Sequence, residues 1–439
     1  MRSRPLLLIL VLILVVSWLA ACQPLGFLRR PTPTPASPFL TLFIEPQAGE
    51  APVLEAINNA QTSVRLKAYL LTHPRVIQAL KAAAQRGVSV RVLLELKPYG
   101  GGVDPGIITD LLDSGVELKG SSRVFNYTHE KSMVIDEAVA LIMTGNMTVS
   151  SFSNREYGII TRQAQDVAEV TAVFEADWAR EGIELSESRL IWAPDNARQR
   201  MLAFIDEAQS TLDIEQQNMQ DPEVIAHIEA ALHRGLRVRL ISSPGYPIEE
   251  DMDEAGRDRL RQAGAQVRYL STPYIHAKVF VIDGRRGFVG SQNLTANSLD
   301  FNRELGIFFD EAEPVAQLAA QFEADWAVAT DEPFPAAEAT PEGGVISHKD
   351  ARQHLHQELT VELTVTHTYN SGRVIWLMPD DDRDNNFKVV IFPSAWNKFP
   401  IVPDVLYKGK TIRVRGLIEE YRGWPEIVVE RPEQIEVVE

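Results

Sequence analysis

The chain has 439 residues, 45% hydrophobic and 23% charged, enough apolar material for a large core and too much for a disordered or low-complexity polymer. Its 43 Lys and Arg stand against 60 Asp and Glu, a net charge of −17, which argues against a basic coat for gripping phosphate backbones and leaves room only for a local basic cleft. A single Cys excludes an intramolecular disulfide framework and any Cys-rich zinc or iron–sulfur site.

Arg2 and Arg4 precede an unbroken aliphatic run, Leu6 to Val16, followed by Leu19-Ala20-Ala21-Cys22. A basic start, a short apolar stretch and small residues before a cut site predict a secretory signal over residues 1–21, too short for a comfortable membrane span. The segment resembles a bacterial lipobox. That resemblance implies lipidation of Cys22 and a secreted lipoprotein anchored on the outer face of the bacterial cell envelope. Residues 22–38, with Pro31-Thr32-Pro33-Thr34-Pro35, read as an extended linker.

An internal repeat organises the next 290 or so residues. His129-Glu130-Lys131 followed by Asp136 recurs 147 residues on as His276-Ala277-Lys278 followed by Asp283, and Asn146 recurs as Asn293. Asn154-Arg155-Glu156 recurs as Asn302-Arg303-Glu304, and Phe174-Glu175-Ala176-Asp177-Trp178 as Phe322-Glu323-Ala324-Asp325-Trp326, both at a spacing of 148. The chain therefore holds two copies of one unit, residues 39–184 and 185–330. In each copy apolar residues at helical spacing (Val76, Ile77, Leu80; Val224, Ile225, Ile228, Leu232) end at Gly87 or Gly235, and an alternating strand follows. Ser132 to Met143 and Val279 to Val289 predict hairpins, the second turning at Asp283-Gly284. Alternating helix and strand predict an α/β lobe made twice. The loops Lys97 to Asp104 and Pro244 to Met252 follow equivalent strands and are expected to shape the mouth of a cleft.

After an acidic linker, residues 331–345, the texture changes. Leu359 to Thr368, Val374 to Leu377, Lys388 to Phe392, Thr411 to Arg415 and Glu426 to Val429 predict about five strands over 346–439, enough for a small barrel. His348, His354 and His356 lack a neighbouring carboxylate or Cys at ligand spacing and are expected to be solvated rather than metal-binding.

The repeated residues carry a chemistry. In His-x-Lys the two side chains share one face of a strand, so His129 and Lys131, like His276 and Lys278, are predicted to point together into a cleft. The lysines can fix an anionic oxygen and the histidines can act as nucleophile or general acid. Asn146 and Asn293 offer amide donors to the same anion, with Thr144 and Ser291 beside them. If the lobes face each other, two such sets surround one tetrahedral phosphate: one histidine attacks phosphorus and the other protonates the leaving oxygen, with no metal or other cofactor needed.

His129, Lys131, Asp136 and Asn146, with His276, Lys278, Asp283, Gly290, Ser291 and Asn293, resemble the two HxKxxxxD…GSxxN-type motifs of the phospholipase D superfamily. The resemblance implies an α/β fold of two pseudo-symmetric lobes around a shared cleft, complete in a monomer. It also implies a covalent phosphohistidine intermediate, with His129 as nucleophile and His276 as acid and then base. Glu156 and Glu304 stand where that family has an acidic partner orienting each histidine. Asp136 and Asp283 belong to the catalytic motif, in a role more often structural. One departure is that the second copy reads Gly290-Ser291-Gln292-Asn293 where the first reads Met143-Thr144-Gly145-Asn146, so Met143 is expected to narrow the first half-site.

The C-terminal residues Tyr407 to Gly416 and Glu419 to Ile427 resemble the last strands of a bacterial OB-fold, a small all-β barrel that stacks single-stranded nucleic acid on aromatics. Trp376, Phe387, Tyr421 and Trp424 could stack or fill the barrel core, and Arg413 and Arg415 share a strand face; Asp380-Asp381-Asp382 would repel nucleic acid. Two readings of function follow. The first is a phospholipase D-type phosphodiesterase hydrolysing or transferring phospholipid at the membrane that holds it. The alternative is a secreted endonuclease of the same superfamily, with the barrel presenting DNA or RNA.

Overall fold

The computed structural model describes residues 39–439 apart from 100–101, 244–250, 271, 332–343, 372–373, 383–385, 397, 400, 422 and 439. The signal, Cys22 and the 22–38 linker, most of the 331–345 linker and most of the Pro244 to Met252 loop lie outside the described residues. No helix among the described residues is long and apolar enough to cross a membrane.

The first lobe runs β1 (Leu40–Ile44), α1 (Ala51–Asn59), β2 (Ser63–Ala68), α2 (Pro74–Gln85), β3 (Ser89–Leu94), α3 (Pro105–Asp113), β4 (Glu117–Gly120), β5 (Ser132–Ile135), β6 (Val139–Met143), β7 (Tyr157–Thr161) and α4 (Ala164–Ala179). The second runs β8 (Leu190–Ala193), α5 (Ala197–Asp206), β9 (Thr211–Gln216), α6 (Pro222–His233), β10 (Arg237–Ser242), α7 (Glu254–Ala263), β11 (Gln266–Tyr269), β12 (Lys278–Ile282), β13 (Arg286–Gly290), α8 (Ala296–Asp300), β14 (Glu304–Phe309) and α9 (Ala312–Val328). Each lobe is one seven-stranded mixed sheet. The orders, β1-β7-β6-β5-β2-β3-β4 and β8-β14-β13-β12-β9-β10-β11, are the same path walked twice. Local sequence explains matched details. Pro74 and Pro222 open α2 and α6 at a position needing no N–H donor, and Gly87 (φ +88°) and Gly235 (φ +90°) carry the left-handed turn into the next strand.

Three cores stack through the double lobe. Helices α1 and α2 pack Val53, Ile57, Val76 and Leu80 on the outer face of the first sheet, and α5 and α6 pack Met201, Ile205, Val224 and Ile228 on that of the second. Between the sheets lies a shared core, with Val134, Ile142 and Ile159 from one lobe against Val279, Val289 and Ile307 from the other, closed by α4 and α9. The central strands are buried on both faces, which is why β5 (SMVI) and β12 (KVFVI) read as continuous rather than alternating apolar runs.

The C-terminal region is all-β but differs in detail from the expectation. Leu359 to Thr368 is two strands, β16 (Glu358–Thr364) and β17 (His367–Asn370), in different sheets. With β15 (Val345–Ser347), β18 (Ile375–Met378), β19 (Lys388–Ile391), β20 (Thr411–Leu417), β21 (Glu419–Tyr421), β22 (Trp424–Val428) and β23 (Ile435–Val438) they form a four-stranded sheet β15-β16-β20-β23 and a five-stranded sheet β17-β18-β19-β22-β21. Both sheets close on one core that includes Val361, Leu377, Phe387, Val389, Val414 and Ile427. Among the described residues the ladders do not join into a closed ring. Phe387 is core, not a stacking platform. Arg413 pairs with Glu362 at 2.9 Å and Arg415 lies 3.5 Å from Glu358, so the two arginines of that strand face each have an acid of the neighbouring β16 within reach. His354 meets only Gln357, at 3.1 Å, among its hydrogen-bond partners.

Candidate active site

The two histidines lie not within a strand but just before one, at the mouths of β5 and β12, where the interface between the lobes opens. The chain crosses over there. The segment Thr128–Glu130 runs beside Arg303 of the second lobe, with His129 N and Glu130 N both donating to Arg303 O at 2.9 Å. Its counterpart has Arg155 N donating to Tyr274 O at 2.8 Å and His276 N to Arg155 O at 3.2 Å. Each histidine is thus laid against the other copy's Asn-Arg-Glu motif.

The carboxylates are exchanged in consequence. His129 Nδ1 meets Glu304 at 2.9 Å, and His276 Nδ1 meets Glu156 at 2.6 Å. A carboxylate on Nδ1 fixes the tautomer and leaves the Nε2 lone pair free, and neither Nε2 has a partner among the described residues. Lys131 Nζ donates to His129 O at 2.6 Å, and Lys278 Nζ to His276 O. Lys278 lowers the proton affinity of His129, and Lys131 that of His276, so all four groups feel one another across the interface.

The arginines of the same motif clamp the lobes. Arg155 binds Asp325 (Nε to Oδ2 2.7 Å, Nη2 to Oδ1 2.9 Å), and Arg303 binds Asp177 (Nε to Oδ2 2.9 Å, Nη2 to Oδ1 3.0 Å). The Arg303–Asp177 pair is two-pronged, the geometry in which a guanidinium holds a carboxylate best, while Arg155 hydrogen-bonds Asp325 through Nη2 alone. The Asp of the repeated Phe-Glu-Ala-Asp-Trp run therefore receives the other lobe's arginine.

The family described as "Cardiolipin synthase, PLD-like domain" matches residues 53–178 and 201–326, one match per lobe. The chain belongs to this family. It is 23% identical over 326 residues to a cardiolipin synthase of Geobacillus sp. (strain WCH70), covering 62% of each chain. It is 26% identical over 306 residues to cardiolipin synthase B of Escherichia coli (strain K12), covering 59% of this chain and 73% of that one. A shorter stretch of 133 residues is 29% identical to the mitochondrial cardiolipin hydrolase of Homo sapiens, covering 30% of this chain and 52% of that one. The crystal structure of phosphatidylserine synthase from Haemophilus influenzae Rd KW20 has the same fold, with a TM-score of 0.54 at 12% identity over 67% of this chain and 88% of that one. The chain spans about three-fifths of the length of the Geobacillus protein, 62%.

The other candidate residues of this phospholipase D-like site fall into two groups. Asn146 and Asn293 sit half-buried at matched places, their backbone N–H groups held by Ser151 (3.1 Å) and Ser298 (3.0 Å). Thr144 and Ser291, expected on the phosphate, are instead fully buried behind the histidines. Thr144 Oγ1 donates to Glu156 at 2.6 Å, and Ser291 Oγ to Leu305 O at 3.3 Å.

Asp136 and Asp283, placed with the catalytic set by the motif, are at the far end of their strands. Asp136 accepts from the backbone N–H groups of Gln61, Thr62 and Ser63, and Asp283 from those of Gln209, Ser210 and Thr211, at 2.7–3.2 Å. These donors hold both carboxyls below the usual range, against the opposing effect of burial. Both residues have φ +54°, a conformation an Asp can tolerate at a tight hairpin turn. Their role is to pin the hairpin to the strand beside it.

Burial lowers the proton affinity of both histidines, His129 to about 4, and of both lysines, Lys278 to about 8. The tight sequence departure also has a physical reason. A Cβ on Gly145 would come within 3.0 Å of the Glu156 carboxyl carbon, while a Cβ on Gly290 would meet Gln292 Oε1 at 2.3 Å. Gly145 thus makes room for the orienting carboxylate, whereas Gly290 makes room for Gln292, Phe288 and the backbone of Gly306.

Three participants escaped the sequence reading. Tyr69 stands edge-on to the His129 ring (4.7 Å between centroids) with Lys131 over its face at 5.2 Å, and its counterpart Gln217 accepts from Lys278 Nζ at 3.1 Å. Glu45 is buried across the ladder from Glu156, its backbone N–H bonded to Glu156 O at 2.9 Å, where the second lobe has Ala193. Nothing in the pattern marks Tyr69, Gln217 or Glu45; the arginine clamps, by contrast, were visible as repeated letters without an assigned partner.

Proposed function

We propose that the protein is a phospholipase D-type phosphodiesterase that cleaves or transfers the headgroup of phospholipids through a phosphohistidine. The observation that carries the reading is the pair of histidines with free Nε2 atoms at one interface, each oriented by the opposite lobe's glutamate. The names of the relatives, which concern phospholipid chemistry, favour lipid over nucleic acid.

In this reading a phosphodiester enters between the lobes, held by Lys131, Lys278, Asn146 and Asn293. His129, proton-free at neutral pH because its affinity is pushed down to about 4, attacks phosphorus with its Nε2 lone pair. The bond from phosphorus to the headgroup oxygen breaks, and that oxygen takes the proton from His276 Nε2. The bound phosphate's negative charge favours the protonated form of His276 that this step needs. His276 then removes a proton from water, or from the hydroxyl of a second lipid, as that oxygen attacks phosphorus and releases His129. The lysines and amides offset charge on the equatorial oxygens throughout.

The test uses residues 39–439, which form one compact unit with its own cores, in EDTA with phosphatidylglycerol vesicles and, in parallel, with single- and double-stranded DNA. Phosphatidic acid or a headgroup-exchanged lipid is expected, together with an acid-labile, alkali-stable phosphoryl-protein absent from His129→Ala. Cleaved DNA with intact lipid would replace the reading with that of a nuclease.

A further inference from the structure

The loops around His129 make a single hydrogen-bonded rim. Glu95, after β3, accepts from Thr128 N at 3.0 Å and from Ser121 Oγ at 2.5 Å, joining the first loop to the segment that carries the histidine. Tyr99 N donates to the hydroxyl of Tyr69, the ring beside His129, at 2.7 Å. Across the interface Asn126 N donates to Phe301 O at 2.9 Å, and its amide reaches Asn297 at 2.6 Å. The rim is therefore built on the catalytic segment and spans both lobes.

The rim brings exposed apolar side chains and positive charge together at the mouth of the cleft. Tyr99 is 88% exposed and Val124 86%, with Leu96 and Phe301 also exposed. Tyr99 and Val124 are the two most exposed of the large apolar side chains among the described residues, and they stand on loops bonded to the segment that carries His129. Lys97 and Arg123 are exposed among them, and neither has a carboxylate within ion-pair distance among the described residues. Many other cations are paired, as in the Arg198 cluster with Asp221, Glu223 and Asp300, and the chain as a whole carries −17. Unpaired positive charge beside protruding apolar side chains, in an acidic protein, matches an anionic lipid surface: the cations meet headgroups while the apolar tips enter the acyl boundary.

We propose that the rim formed by Leu96, Lys97, Tyr99, Arg123, Val124 and Phe301 docks the cleft onto an anionic phospholipid surface. The proposal rests on the lipid reading of the site, and its test needs no turnover. Residues 39–439 are sedimented with vesicles of phosphatidylcholine alone and of phosphatidylcholine with phosphatidylglycerol. The triple variant Tyr99→Ser, Val124→Ser, Phe301→Ser and the double variant Lys97→Glu, Arg123→Glu are compared with the parent.

The parent should bind the phosphatidylglycerol vesicles, and each variant should lose roughly tenfold or more in partitioning while keeping the parent's thermal melt. Binding by the triple variant equal to that of the parent, or no vesicle binding by the parent, overturns the proposal. So does concentration-dependent dimerisation of the parent in light scattering that the rim variants abolish without any effect on vesicles. Rim-dependent binding without phosphatidic acid release would leave the docking surface standing and remove the phospholipid chemistry instead.

Discussion

Around His129 the orienting carboxylate is well supplied with donors: Glu304 takes Ser298 Oγ at 2.6 Å and Asn302 Nδ2 at 3.0 Å besides the imidazole. Around His276, Glu156 takes the hydroxyl of Thr144 and has a second buried acid, Glu45, across the ladder. The lysines differ in the same way, Lys131 lying over an aromatic ring and Lys278 against an amide oxygen. Burial lowers the proton affinity of both imidazoles, and the halves differ in what surrounds each orienting carboxylate, a contrast that the matching motifs alone do not contain.

The largest effect that would break this contrast comes from the histidines themselves. His129→Ala and His276→Ala should each lower turnover of a phospholipid by about 10³-fold or more. They should part company on a p-nitrophenyl diester, whose leaving group needs no proton. There His276→Ala should still release one burst of p-nitrophenol while His129→Ala releases none, and the opposite result would exchange the two roles. Next come the exchanged carboxylates. With the p-nitrophenyl diester, Glu304→Gln should slow formation of the phosphoryl-protein and Glu156→Gln its breakdown, each by roughly 10²–10³-fold, as read by rapid quench. Equal effects of both on one step would show the halves to be interchangeable.

The pH profile sharpens the comparison at intermediate size. Lys278 is charged below about pH 8 and neutral above it, and His129 gains a proton only below about pH 4. On a soluble p-nitrophenyl diester, whose leaving group needs no acid, kcat/KM should therefore fall above about pH 8; a plateau continuing to pH 10 would contradict the lysine's role.

Asp136→Ala and Asp283→Ala supply the symmetric control. Each should cost about 1–3 kcal/mol in chemical denaturation, by equal amounts, with turnover retained in the folded protein. Loss of turnover without loss of stability would return these residues to the catalytic set.

Glu45→Gln should give the smallest signal. Burial pushes this carboxyl from 4.5 up to about 7, so between those values the folded chain holds a proton that the unfolded chain has released. Stability must then decline as pH rises from about 4.5 to about 7 and level off beyond. Calorimetry at pH 5 and pH 8 should find a smaller drop in Tm for Glu45→Gln than for the parent, and identical drops would refute the assignment.

The lobes and most of the site were legible because duplication leaves a register: residues 147 or 148 apart must do the same thing in the same place. The sheets, the hairpins and the positions of His129, Lys131, His276 and Lys278 follow from that register. It carries no information on which copy's glutamate meets which copy's histidine, since both pairings satisfy the same pattern. The exchange is decided by the backbone crossing at Arg155 and Arg303, a long-range contact. The partners of the Thr144 and Ser291 hydroxyls were illegible for a related reason, since a hydroxyl beside an amide donor looks the same whether it faces substrate or a buried neighbour. How the C-terminal strands are shared out was not legible because strand alternation does not say which edges join, and the break at Val365-Thr366 divides one apolar run between two sheets.

The crossing of the carboxylates has a consequence for how the protein responds to dilution. A lobe standing alone would hold a histidine with no acid to orient it, and it could be completed only by meeting a second lobe, with activity rising and falling with concentration. Here both halves travel on one chain, so their encounter is intramolecular and the effective concentration of each for the other is set by the tether rather than by abundance. Activity per molecule should accordingly be constant from micromolar protein down to a few scattered copies.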